Sequence, residues 1–231
     1  QSAHAYFAQW KNVPATVRAD KIDKLAELML RDRFDLIAKQ VLEVGKTWSE
    51  ADGDVCEAID FCRYYARHMR ELAKPLRVGH APGEVSHYIY RPRGVTAVIA
   101  PWNFPLAILT GMVASALVTG NTVVMKPAEQ SSGVAQDLIR LLLEAGIPKE
   151  AVHFLPGYGE SVGDFIVKHP KTATIAFTGS KNVGLAIQNA ASVVHTGQKH
   201  VKRCIIEMGG KNAVIIDNDA DLDEAVDGVL Y

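Results

Sequence analysis

The sequence predicts a doubly wound α/β fold, a largely parallel sheet with helices on both faces. Three observations carry this. From Gly94 onward, short apolar runs alternate with segments of helix length, the order that builds parallel strands joined by helical crossovers. The first four or five runs are apolar throughout instead of alternating, as strands covered on both faces are. Gly120-Asn121, Gly146 before Pro148, and His169-Pro170 interrupt the pattern where helices stop and strands begin. The crossovers are expected to be right-handed.

Residues 1–75 read as helical. Val17, Ile22, Leu25, Leu28, Met29, Leu36 and Ile37 recur at helical spacing between Pro14 and Val44, with charged residues on the other face. A second helix is expected from Ser49, with Asp52 closing a capping box. Its apolar stripe is Val55, Ile59, Cys62, Ala66, Met69 and Leu72. Another face carries Glu57, Phe61, Tyr64 and His68; it is either a solvated or inter-subunit surface, or an acid beside aromatics lining a pocket. Residues 76–93 read as a protruding hairpin. Pro82-Gly83 makes a turn, and Val85–Tyr90 alternates like a half-buried strand. A lone hairpin is barely stable, so it should pack on another subunit or segment.

Residues 94–231 form the α/β part. Strands are expected at Thr96–Ala100, Thr122–Met125, Val152–Leu155, Thr174–Phe177, Arg203–Glu207 and Ala213–Ile216. Helices are expected at Leu106–Val118, Ser132–Glu144, Glu160–Lys168 and Asn182–Val194. The chain begins at Gln1 and ends at Tyr231 inside a helix begun near Asp221, which reads as a piece of a longer polypeptide.

Composition narrows the function. The formal charge is 25 − 26 = −1 and charged residues make up 22%, so a nucleic-acid partner is not expected. No apolar run approaches the roughly 20 residues of a membrane span, and no signal peptide opens the chain. The three cysteines, Cys56, Cys62 and Cys204, have neither metal nor disulfide-framework spacing. That fits a reducing compartment, and a cytoplasmic location is the expectation.

Chemistry concentrates where strands end. After the first comes Pro101-Trp102-Asn103-Phe104-Pro105, a loop stiffened by two prolines that holds a neutral amide able to donate to an oxyanion. It could equally be a rigid turn with a core Trp. The second ends in Lys126-Pro127-Ala128-Glu129. Both charged residues could reach a ribose, and Glu129 would repel a 2′-phosphate; the bland alternative is a solvated ion pair. The fourth ends in Phe177-Thr178-Gly179-Ser180, where Ser180 can cap a helix whose positive end suits a phosphate. Leu185 stands where a P-loop would carry lysine. The fifth ends in Glu207-Met208-Gly209-Gly210-Lys211. Glu207 is either a general base or the partner of Lys211. Cys204, turned to the same side as Ile206, reads as structural.

In this order, the motifs at 101–105, 126–129, 177–180 and 207–211 resemble the NAD(P)-dependent aldehyde dehydrogenases, over a stretch matching their N-terminal cofactor half. The segments Trp48–Asp52, Glu57–Phe61 and Tyr64–Arg67, with the long polar stretch His195–Arg203, resemble the members that oxidise glutamate γ-semialdehyde in proline catabolism, the 1-pyrroline-5-carboxylate dehydrogenases. The resemblance implies a Rossmann-like domain that binds NAD, an aldehyde substrate, and self-association of the full-length parent through the hairpin. It implies that Asn103 stabilises the oxyanion and that Glu207 activates the hydrolytic water. Ile99, Ala100, Pro101, Trp102, Asn103, Lys126, Glu129, Gly159, Phe177, Gly179, Ser180, Val183, Glu207 and Gly209 would contact the cofactor. Lys126 and Glu129 would take the adenosine ribose, Gly179 and Ser180 the pyrophosphate, and Val183 the adenine. Phe104 would wall the substrate's aliphatic chain, with Glu57 near its amino group. The family's nucleophilic cysteine would lie beyond Tyr231, so these 231 residues are expected to be inactive alone. Two alternatives stand beside this one: another semialdehyde or aliphatic aldehyde as substrate, and a non-catalytic nucleotide-binding module.

Overall fold

The computed structural model describes residues 1–230. Four helices come first: α1 (Ser2–Trp10), α2 (Ala15–Arg31), α3 (Arg33–Val44) and α4 (Trp48–Leu72). The helical run between Pro14 and Val44 is therefore two helices, parted at Asp32. The Asp32 carboxylate accepts from Arg31 (2.6 Å) and from Arg140 (2.9 Å), which fixes the break from the side. α3 stops at Gly45, whose φ of 72° needs a residue without Cβ.

α4 starts one residue earlier than Ser49, and its capping box is Thr47 with Glu50. The Thr47 hydroxyl accepts from the Glu50 N–H at 3.3 Å, and the Glu50 carboxylate accepts from the Thr47 N–H at 3.1 Å. Asp52 is engaged elsewhere, accepting two 2.6 Å hydrogen bonds from Arg33. The expected stripe is buried from Val55 to Met69, while Leu72 is exposed.

β1 (Leu76–Val78) and β2 (Ser86–Tyr88) pair antiparallel as the hairpin. All their residues are exposed, so the half-buried face expected from the alternation finds no cover among the described residues.

The sheet comprises β3 (Val95–Ile99), β4 (Thr122–Lys126), β5 (Val152–Phe154), β6 (Thr172–Gly179) and β7 (Arg203–Met208). The strands run parallel in the spatial order β5-β4-β3-β6-β7. Between them lie α5 (Ala107–Val118), α6 (Ser132–Glu144), α7 (Asp164–Lys168, entered through a π-helical turn at Gly159–Gly163) and α8 (Lys181–Ser192). α9 (Leu222–Leu230) follows.

Strand alternation divides the core. Val98, Met125 and Ala176 face a large cluster with Leu25, Val55, Leu109 and Leu138 from the helices on one side. Ala97, Ile99, Ile175 and Phe177 face a smaller one with Ile166, Val167 and Ile187 of α7 and α8. α5 is apolar around its whole circumference because it lies between the sheet and α4. The fold is thus a Rossmann-like doubly wound α/β sheet with a small antiparallel hairpin.

One expected strand does not form. Ala213–Ile216 is irregular, with Val214 73% and Ile215 91% exposed. The outer edge of β7 has no strand beside it among the described residues. The segment has the composition of a strand but no partner to take up its backbone groups.

Candidate functional site

β3 leads to β4 on one side, and β6, reached later, lies on its other side. Connections diverging from one strand open a crevice beyond the carboxyl ends, the usual ligand position in such sheets. Ile99 sits opposite both Lys126 and Phe177, and Gly179 opposite Met208, so the chemically distinctive strand ends emerge side by side.

A cleft of about 700 Å³ lies there. It brings together Ala100, Pro101, Trp102 and Asn103 after β3, Lys126 and Glu129 after β4, and Phe177, Gly179 and Ser180 after β6, with Val183 and Gly209 completing the wall. Ile99 and Gly159 instead line an adjoining cavity of about 400 Å³ between α7 and α8, with Val183 shared by both.

Glu207 lines neither. It is exposed, and the register sets it beside Thr178, whose hydroxyl lies 3.9 Å from the Met112 sulfur on α5. The pleat therefore turns Glu207 toward the α5 side, while Ile206 and Cys204 pack into the smaller cluster on the opposite face. Among the described residues no ion pair joins Glu207 to Lys211.

Lys126 and Glu129 are paired at 2.9 Å, but not as a solvated couple: the Lys126 side chain is 4% exposed and the Glu129 side chain 34%. The Lys126 ammonium also donates to the Pro127 carbonyl at 3.1 Å. Partial burial pushes the Glu129 carboxyl upward, but the Lys126 hydrogen bond and charge outweigh it, with backbone donors assisting. The net position is below the ordinary value, so Glu129 is an anion at neutral pH.

Of the helix N-termini that open toward this end of the sheet, those of α5, α6 and α8 differ in what satisfies them. At α6 the Gly133 and Val134 N–H groups donate to the Glu43 carboxylate at 2.6 and 2.7 Å. At α5 the Leu106 and Ala107 N–H groups donate to the Asp54 carboxylate at 3.3 and 3.2 Å. At α8, among the described residues, only the Ser180 hydroxyl serves as a side-chain cap, accepting from the Val183 N–H at 3.4 Å. Of these three, α8 is consequently the terminus left able to receive an anionic ligand. Gly179 keeps its approach clear: a Cβ there would stand 2.7 Å from the Phe177 ring.

Asn103 and Phe104 line a further cavity of about 440 Å³ with Lys46, Glu50, Gly53 and Asp54. The Asn103 side-chain amide makes no hydrogen bond among the described residues and so is free to donate. Glu57, expected near the amino group of the substrate that Phe104 would wall, does not line this cavity. It is exposed on α4 and lies close enough to Asp54 to disfavour that residue's charge.

Asp54 and Lys46 are the residues that the sequence reading missed. Asp54 is 1% exposed, and burial pushes its carboxyl upward against the pull of Lys46 and the two backbone donors. Its signal was legible: an acid on the buried face of α4, among Ala51, Val55 and Ala58. Lys46 had no comparable signal.

None of the three cysteines lines these cavities. Cys62 is fully buried and its thiol is pushed well above the ordinary range by burial. Burial also raises Cys204.

Fold and cleft define the class: a Rossmann-like α/β domain with a ligand site at its switch point. The chain matches the aldehyde dehydrogenase family over residues 1–231 and belongs to that family. It is 48% identical over 230 residues to 1-pyrroline-5-carboxylate dehydrogenase 1 of Halalkalibacterium halodurans, covering 100% of this chain and 45% of that protein. It is 46% identical to 1-pyrroline-5-carboxylate dehydrogenase 2 of Bacillus subtilis, with the same coverage. Among solved structures, proline utilization A from Bdellovibrio bacteriovorus, inactivated by N-propargylglycine, superposes with a TM-score of 0.98 at 72% identity, over 100% of this chain and 24% of that one. A Thermus 1-pyrroline-5-carboxylate dehydrogenase with bound NAD gives 0.96 at 46% identity, over 99% and 44%. The chain thus spans less than half the length of these relatives.

Proposed function

We propose that the polypeptide carrying this chain oxidises glutamate γ-semialdehyde, the open form of 1-pyrroline-5-carboxylate, to glutamate with NAD, as a step of proline catabolism. The observation that carries the reading is the convergence of three strand ends on one switch-point cleft in a chain so similar to dehydrogenases of that substrate.

The residues present fit NAD. A ribose diol suits the Lys126–Glu129 pair, since the ammonium donates to one oxygen and the carboxylate accepts from both hydroxyls. The anionic Glu129 disfavours a 2′-phosphate. The pyrophosphate suits the open N-terminus of α8 beside Gly179 and Ser180. Val183, 48% exposed, offers apolar surface to adenine, with Ile99 and Gly159 deeper on the same side. Ala100, Pro101, Trp102, Phe177 and Gly209 frame the remainder. When bound, NAD supplies the hydride acceptor.

Asn103 donates its amide to the oxygen of the aldehyde carbon as negative charge develops there. Glu207, on the α5 side, deprotonates the water that releases the acid. Phe104 walls the substrate, with Glu57 toward its amino group. The nucleophile is supplied by none of Cys56, Cys62 and Cys204, because none lines the cleft or the Asn103 cavity. Residues 1–75 support the cofactor domain 94–231, and the exposed hairpin 76–93 serves self-association of the full-length protein, which works in the cytoplasm.

The test is NADH formation by the complete polypeptide with glutamate semialdehyde and with succinate semialdehyde. Faster turnover of the first is expected, and the isolated 231-residue chain is expected to make no NADH. Equal turnover rejects the substrate assignment. A folded, complete polypeptide that turns over no aldehyde rejects the enzyme in favour of a nucleotide-binding module.

A further inference from the structure

Lys46 is the single residue between two capped helix ends. On one side Gly45 closes α3 in the left-handed conformation; on the other Thr47 opens α4 with a reciprocal capping box. Its backbone is therefore fixed from both directions, and its half-buried side chain crosses to the Pro101–Pro105 loop. There the ammonium donates to the Asn103 carbonyl at 2.9 Å and lies 4.2 Å from the centroid of the Phe104 ring. Glu50 and Asp54 line the same cavity, yet among the described residues Lys46 forms an ion pair with neither. A lysine ordinarily turns to a nearby carboxylate or to water. This one is spent on a main-chain carbonyl and an aromatic face.

We propose that Lys46 is a positioning residue for the aldehyde chemistry, holding the Asn103–Phe104 pair in register with the reacting carbon. This rests on the functional reading given above. A single ammonium grips the peptide carbonyl of the oxyanion donor and the ring of the substrate wall, so both are placed by one group. The loop is rigid at its ends, with Pro101 at one and buried Pro105 at the other, and Asp54 anchors the helix that follows. Its middle, where Asn103 is exposed, has Lys46 as its tether. Small errors in the position of such a donor are costly in rate although they barely alter binding elsewhere.

The experiment uses the complete polypeptide. Lys46→Met is expected to lower kcat on the order of tenfold, with NAD affinity and thermal midpoint unchanged. Lys46→Arg is expected to restore most of the rate, because a guanidinium can both donate to the carbonyl and stack on the ring. In an Asn103→Ala background, which removes the amide donor but keeps the residue-103 carbonyl and Phe104, Lys46→Met is expected to lower kcat by clearly less than about tenfold, since only the placing of Phe104 is left to lose. An unchanged kcat in Lys46→Met, failure of Lys46→Arg to recover rate, or a full tenfold fall in the Asn103→Ala background overturns the role. If Lys46→Met does not fold, Lys46→Gln, which keeps a donor without charge, carries the same test: a lowered kcat supports the role and a wild-type kcat overturns it. A wild type inert toward aldehydes rejects the functional reading and this role together. An active wild type with an unaffected variant rejects the role alone.

Discussion

Residues 95–99 (Val-Thr-Ala-Val-Ile) and 213–216 (Ala-Val-Ile-Ile) have nearly the same strand-forming composition, and they meet opposite fates. The first is the central strand β3, buried along its length with a neighbour on each side. The second is irregular, and Ile215 is 91% exposed. β-branched residues favour a strand mainly because they pack on a pleated, covered surface, and an extended segment without a ladder leaves its backbone groups to water. The difference lies in the neighbours, not in the residues. The same contrast separates the cleft, assembled on buried strands, from Glu207, which stands at the exposed end of edge strand β7.

An acid placed in each of the two segments should have very different consequences. Val98→Asp, at a position with 0% exposure, buries an unpaired carboxylate and should cost more than about 4 kcal/mol, enough to abolish a cooperative urea transition. Ile215→Asp should change stability by less than about 0.5 kcal/mol. Comparable losses for both substitutions would show that 213–216 is held in the core after all.

Within the buried half, the ion pair at the end of β4 should respond more mildly. Glu129→Gln removes the charge paired with nearly buried Lys126 and weakens the acceptor for a ribose hydroxyl. NAD affinity should fall by about 1–2 kcal/mol, roughly tenfold, while NADP loses less or gains. Titration of both cofactors checks this, and unchanged affinities would reject the ribose role.

The smallest effect lies at the surface, where Asp32 joins α2, α3 and α6. Its carboxyl is pulled from 3.8 down to about 2, chiefly by the hydrogen bond from Arg31 and then by Arg140. A depressed carboxyl contributes stability that is fully present above 3.8 and disappears as pH falls through about 2. Its arginine partners are 49% exposed, so screening keeps the contribution below about 1 kcal/mol. Urea midpoints of wild type and Asp32→Asn should therefore differ slightly near neutral pH and converge toward about pH 2. A gap independent of pH would assign the effect to packing.

Much of the fold was legible because its signals are local. Apolar runs and Gly or Pro breaks marked the strands of the sheet to within a few residues, and helical spacing marked the stripe of α4. The misses have local causes too. Asp32 splits one helical pattern because Arg31 and Arg140 hold its carboxylate, and Thr47 prevailed over Ser49 because Glu50 reaches back to it while Arg33 occupies Asp52. At the site, eleven of the expected cofactor residues share one cleft, since parallel register places the ends of β3, β4 and β6 side by side. Ile99 lies in the next cavity and Glu207 on another face because successive residues of a strand point to opposite sides, while Gly159 lies in that cavity because it opens the π-helical turn that leads into α7.

The alternation of strands and helices, the chemistry at each strand end and the family to which the chain belongs can all be read from the order of residues alone. All of these are written in runs of a few residues whose sterics and burial preferences act locally. It takes the folded chain to show that β3 lies between β4 and β6, that Glu43 and Asp54 occupy the starts of α6 and α5 and leave that of α8 open, and that Lys46 reaches Asn103 across 57 positions. Contacts at that range depend on how whole elements stack and in what register, and no short stretch of the chain encodes this alone.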